Sequence, residues 1–320
     1  MLKVRLYRDG KIEEEDFDPA RVSDLLQQGG LVWLDLEEPS DRELALIQEE
    51  FSLHHLAIED ARHRGQRPKI EAYEGYYFMV FYAIELGGDD LRTREMHAFV
   101  GANYLITLRF DPAFDLGPVL KRWERHQELT REGGGYLLYA LLDRVVDGYF
   151  EVVDDLEDAS EEIEEGVFSE RKDGHIQERI FRQKKNLLEL RRLVTPLRDV
   201  LAILQDDRSI VTEQLRAYYR DVADHVIRVA TFIDNVRELL TAALEAHLSQ
   251  VSNRLNVVMK QVTSWAAIIL IPTLITSFYG MNFTSLPWPL RSPWGPPITV
   301  VLMLLSGGAL YALFKRLDWL

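Results

Sequence analysis

The chain has 320 residues, 47% of them hydrophobic, no cysteine and a formal charge of −15. So acidic a balance argues against a nucleic-acid partner, which needs a basic face, and the lack of thiols excludes disulfides and thiolate metal sites. The charge is unevenly placed: from Asn256 onward there are four basic residues and one acid, +3, which leaves −18 on the first 255. That acidity suits a protein that meets cations and equally a dispersed soluble domain. The opening stretch MLKVRLYRDGKIEEEDFD is charged throughout, so no cleavable signal peptide is expected.

Residues 1–130 read as an α/β layer domain. KVRLYRDGKIEEED predicts a hairpin around Asp9-Gly10. LVWLDL predicts a strand, and PSDRELALIQEEF a helix opened by a capping box, Ser40 and Glu43. YYFMVFYAIEL is continuously apolar, as in a strand covered on both faces. REMHAFVGANYLITLRF predicts two more strands across Gly101-Ala102-Asn103.

From Tyr136 the pattern turns helical, giving a hairpin over 131–210. Leu138, Leu141, Val145, Tyr149, Val152 and Leu156 recur at three- and four-residue steps. Nine acids and no base lie between Glu151 and Glu165. The following helix offers Arg179, Arg182, Lys184, Lys185, Arg191 and Arg192, so mutual compensation between the two helices is expected ahead of divalent-ion binding. A third helix begins near Thr212 and meets no glycine or proline until Pro272. That predicts a stalk over 211–260 running into the membrane, roughly 90 Å in all at 1.5 Å per residue.

No charge occurs between Lys260 and Arg291, nor between Arg291 and Lys315. The two intervals predict transmembrane helices over 261–281 and 298–314, joined by an outer loop over 282–297 and followed by a basic tail over 315–320. Trp294 and Trp319 suit interfacial anchors. Arg254 and Lys260 precede the first span and Lys315 and Arg316 follow the second, so the positive-inside rule puts both termini in the cytoplasm. The expected location is the inner or plasma membrane, with lipid as a partner.

The first span is not uniformly apolar. Asn256, Met259, Thr263, Ala266, Leu270, Thr273 and Ser277 share one mildly polar, uncharged face. That face reads as a small-residue packing stripe or as the lining of a pore built by several copies. Gly280 is expected to end the helix with a positive φ, and the negative end of the helix dipole then points at the outer mouth. Asn282 adds amide oxygens. Neutral oxygens suit magnesium, which dehydrates reluctantly and must be released.

YGMNF after a long helix, a short second span and the basic end FKRLDWL resemble the CorA family of magnesium channels. HHLAIEDARHRGQRPKIEAYEGYYFMVF, LLYALLDRVVDGYF, KKNLLELRRLVTPLRDVL and YYRDVADHVIRV extend the resemblance over about 54–320. It implies a funnel-shaped homopentamer with an α+β cytoplasmic domain, a stalk helix and two transmembrane helices. It implies pore positions at Asn256, Met259, Val262, Leu270 and Thr273, and a selectivity motif at Gly280, Met281 and Asn282. A basic ring is implied at Lys315 and Arg316. Regulatory magnesium is implied at Asp221, with a partner acid at Asp89 or Asp90 in the loop GGDD. Cobalt, nickel and zinc are further candidate cargo. The outer loop departs from the family in carrying no acid.

No enzyme motif stands out: GGGY at 133–136 lacks the lysine of a phosphate loop. His54, His55 and His63 lack zinc-site spacing. The leading reading is a passive divalent-cation channel gated by cytoplasmic magnesium. The alternatives are a zinc transporter of the same superfamily, with or without proton coupling, and a membrane-anchored sensor or scaffold that transports nothing.

Overall fold

A computed structural model describes residues 2–126, 128–168, 175–281 and 293–320. The chain divides into two compact units, the first running to Ala243 and the second covering Leu244–Leu320.

The first unit is built on a seven-stranded sheet. Its strands are β1 (Leu2–Arg8), β2 (Lys11–Glu15), β3 (Leu31–Glu37), β4 (Lys69–Tyr73), β5 (Tyr76–Gly87), β6 (Asp90–Gly101) and β7 (Tyr104–Arg109). Their order is β2-β1-β3-β7-β6-β5-β4. Only β3 and β7 pair in parallel. The β1–β2 hairpin turns at Asp9 and Gly10, both with positive φ, the geometry of a tight turn that matches strand twist. In β5, Phe78 through Ile84 are all buried, so successive residues find cover on opposite faces of the sheet.

The helices α1 (Val22–Gln27), α2 (Asp41–Glu50), α3 (His55–Arg62) and α4 (Gly117–Arg125) punctuate the sheet. Ser40 caps α2 as expected: its hydroxyl accepts from the Glu43 amide while the Glu43 carboxylate returns to the Ser40 amide. Then come α5 (Gly134–Phe168) and α6 (Ile176–Asp206). The Tyr149 hydroxyl on α5 donates to the Tyr82 carbonyl on β5 at 2.6 Å, tying helix to sheet. The three glycines at 133–135 serve packing. A Cβ on Gly134 would lie 2.2 Å from the Gly101 carbonyl oxygen, and one on Gly135 1.9 Å from that of Ile210.

The expected compensation between α5 and α6 is mostly absent. All nine acids from Glu151 to Glu165 are exposed. Among the described residues one ion pair joins those acids to α6, Arg179 to Glu162 at 2.9 Å. Arg182 pairs instead with Asp89 and Glu178, and Arg191 with Asp234. The reason is facial: Val152, Leu156, Ile163 and Val167 are buried, which turns the acids of α5 to solvent.

The long helix α7 spans Arg216–Tyr279 without interruption at Pro272, and α8 spans Gly295–Arg316. Both contain stretches long and apolar enough to cross a membrane. Pro296 and Pro297 belong to the first turn of α8, where the missing N–H costs nothing. In the second unit the two helices run antiparallel: Trp265 faces Tyr311 with ring centroids 6.4 Å apart, and Lys260 lies over the Trp319 ring. Ser264 is fully buried and bonds back to the Lys260 carbonyl.

Candidate metal path and metal-binding cluster

In the second unit, α7 carries Asn256, Met259, Leu270 and Thr273 on one face, with Val262 at its edge, because a 3.6-residue turn brings steps of three and four together. All five are exposed in the single chain, Met259 by 62% and Leu270 by 66%. The Thr273 hydroxyl donates to the Ile269 carbonyl at 2.8 Å. Its proton is therefore committed to the helix backbone, which leaves the oxygen lone pairs as acceptors.

The end of α7 corrects one expectation. Gly280 does not adopt a positive φ. Its amide continues the helical ladder to the Thr276 carbonyl at 2.9 Å, and the Met281 amide reaches the Phe278 carbonyl at 3.3 Å. A Cβ at Gly280 would meet the Ser277 and Thr276 carbonyl oxygens at an ordinary 3.5 Å. Among the described residues, nothing at this position requires a glycine. Asn282 lies outside the described residues. At the opposite end of this helical pair, Lys315 and Arg316 occupy the last turn of α8, where cations complement the helix dipole.

A second cluster lies in the first unit and was not singled out as a site from sequence. Asp143 and Asp147 on α5 and His225 on α7 each offer a ligand atom within 4.8 Å of the others. Asp143 is only 5% exposed. One His225 nitrogen, Nδ1, is buried without a hydrogen-bond partner, and Nε2 stands 3.9 Å from the Asp221 carboxylate. Arg122 on α4 pairs with Asp143 and lies 3.3 Å from Asp147. The neighbouring Tyr139 phenol is pushed up by burial; Arg122 opposes that shift, and the Asp221 and Asp147 charges add to it. Two carboxylates and an imidazole suit a divalent ion, and octahedral ligands at about 2.1 Å stand only about 3 to 4 Å apart. The legible signal was the paired spacing, Asp143 with Asp147 and Asp221 with His225, each at i,i+4 on one helical face.

The other predicted regulatory acids sit elsewhere. Asp89 pairs with Arg182, and its carbonyl accepts from Asn186 at 2.7 Å. Asp90 opens β6 as the partner of Gly87. The histidines at 54, 55 and 63 do not converge on a common point. His54 Nδ1 caps α3 by accepting from the Leu56 amide, and His63 Nδ1 lies 2.8 Å from the Glu59 carbonyl.

The family model of the CorA-like Mg2+ transporter protein matches residues 28–316. The chain is 33% identical over 278 residues to the cobalt/magnesium transport protein CorA of Thermotoga maritima, covering 86% of this chain and 79% of that one. It is 26% identical over 320 residues to the cobalt/magnesium transport protein CorA of Methanocaldococcus jannaschii, covering 99% of each. The complete structure of the CorA magnesium transporter from Methanocaldococcus jannaschii superposes with a TM-score of 0.76 at 24% identity, covering 91% of this chain and 92% of that one. The chain belongs to the CorA-like Mg2+ transporter family.

Proposed function

We propose that several identical copies of this chain surround a passive path for divalent cations, with magnesium the principal cargo and cobalt and nickel also carried. Family membership and the exposed, uncharged face of α7 leading to Gly280 and Met281 carry this reading. A pentamer in the cell membrane, with both termini cytoplasmic, fits the resemblance and the cations Lys260, Lys315 and Arg316 at one end of the helical pair.

The chemistry needs no hydrolysis. Two charges moving down a 100 mV potential release about 5 kcal/mol, enough to drive uptake. Magnesium gives up its water reluctantly. A path of methyl, thioether and hydroxyl groups lets it keep most of its shell, and the carbonyl ends of the α7 helices draw it to the mouth. Asn282 would touch the hydrated ion with amide oxygens, weakly enough to let it go. Asp143, Asp147 and His225, with Asp221 beside them, are the groups best suited to bind regulatory metal. Asp89 and Asp90 are second candidates, acting against Asp221 of a neighbouring copy.

The test is metal flux into proteoliposomes holding the full chain, compared across magnesium, cobalt, nickel and zinc. The expected result is magnesium entry down its gradient that Asn282→Ala abolishes. Zinc entry that depends on a pH gradient would point to the zinc-transporting branch, and the lack of any flux would point to a tether.

A further inference from the structure

We infer that Arg122 is a tethered counter-ion that competes with metal for the Asp143–Asp147–His225 cluster, so that metal binding expels its guanidinium. The inference rests on the reading of that cluster as a divalent-cation site.

Arg122 pairs with Asp143 and reaches Asp147 at 3.3 Å, so one guanidinium engages both carboxylates that a metal would need. Its backbone is pinned. The Arg122 carbonyl accepts from the Tyr136 hydroxyl at 2.9 Å, and the next residue, Trp123, is buried with its ring 5.0 Å from that of Tyr7. Its side chain is 32% exposed although Nη1 itself is buried, so the guanidinium lies just beneath the surface and can swing out to water while the helix stays put.

The energetics require one cation at a time. Asp143 is buried, and a buried carboxylate without a partner is strongly destabilising. At low metal concentration Arg122 supplies the missing charge. A divalent ion brings two charges to the same carboxylates and repels the guanidinium, which swings into solvent. The effect of this competition is to multiply the intrinsic metal affinity by the fraction of time the site stands open, which weakens apparent binding. That places the response at higher free metal, where a sensor of an abundant cation must work.

The test uses the detergent-solubilised full chain, titrated with MgCl2 and with CoCl2 by calorimetry and by thermal melting after EDTA treatment. Arg122→Gln should bind metal about tenfold more tightly than wild type, as expected if arginine holds the site nine-tenths of the time. Without metal it should melt lower than wild type, and its gain on adding metal should be larger. Arg122→Lys, which keeps one charge but loses the fork, should fall between. Asp143→Asn should lose the metal response. The inference is overturned if Arg122→Gln and Arg122→Lys bind metal no more tightly than wild type while Asp143→Asn still abolishes binding; the site then stands without the competition. If Asp143→Asn leaves metal binding unchanged, both the site and the competition are overturned.

Discussion

Replacing Gly280 by alanine separates what the chain needs from what the pore needs. Among the described residues the change is benign: the φ is not positive, and the new methyl meets two carbonyl oxygens at 3.5 Å. Alanine is favoured over glycine by about 1 kcal/mol in a helix interior and by less in a last turn. Gly280→Ala should therefore leave the melting temperature and the oligomer size unchanged, or raise stability by a few tenths of a kcal/mol. If copies of this helix end converge at a mouth, each methyl narrows the space for a hydrated ion. A barrier increase of about 1.4 kcal/mol already cuts flux tenfold. The assay is magnesium entry into dye-loaded proteoliposomes, with size-exclusion chromatography and thermal melting on the same preparations. Flux near the wild-type rate would refute the placement of Gly280 at a constriction. A collapse in stability would refute the local geometry instead.

In the sheet, Asp35 accepts from Arg109 through both oxygens, at 2.9 and 2.7 Å, and from Thr107 at 2.7 Å, with Asp35 1% and Arg109 5% exposed. Asp35→Ala leaves the buried Arg109 guanidinium to Glu37 at 3.1 Å and the Phe114 carbonyl, and should cost about 3 kcal/mol, the low end for breaking a buried pair. Glu13→Ala, which breaks an exposed pair with Arg8, should cost about 0.5 kcal/mol or less; equal melting shifts for the two variants would contradict this. Burial works to raise the Glu95 carboxyl, but contacts with His97 and the Gly65 and Gln66 amides outweigh it and hold the group below its usual 4.5. A depressed carboxylate adds stability above its unfolded pKa and loses it as pH falls through the folded value. Pepsin cleavage around 64–67 should therefore rise as pH drops below about 4. Glu95→Gln should show that cleavage already at the upper end of pepsin's range, and an unchanged pattern would count against the contact.

Much of the architecture was legible because its signals are local. The Asp9-Gly10 turn, the Ser40–Glu43 box and the apolar run of β5 each depend on residues a few positions apart. The unbroken course of α7 followed from the long stretch without glycine or proline before Pro272. Less legible was anything settled by which face of a helix meets another. The basic residues of α6 looked like partners for the acids of α5, yet Arg182 and Arg191 turn to Asp89 and Asp234. The cluster of Asp143, Asp147 and His225 joins two helices about 80 residues apart in sequence, and its counter-ion Arg122 comes from a third. Its i,i+4 spacings were visible, but the pairing of the helices was not. For Gly280 the residue type was legible, but its φ is not positive and no described neighbour crowds it, so the local geometry does not account for it.

On the proposed function, the assembled chain conducts divalent cations without an energy source of its own. The most direct measurement is the reversal potential of current through the purified protein in a planar bilayer, under a magnesium gradient with no nucleotide present. The expected current reverses near the magnesium equilibrium potential and shifts by about 30 mV for each tenfold change in gradient. A bilayer that stays silent under every magnesium gradient and voltage, or a reversal that follows protons instead, would contradict the proposed function.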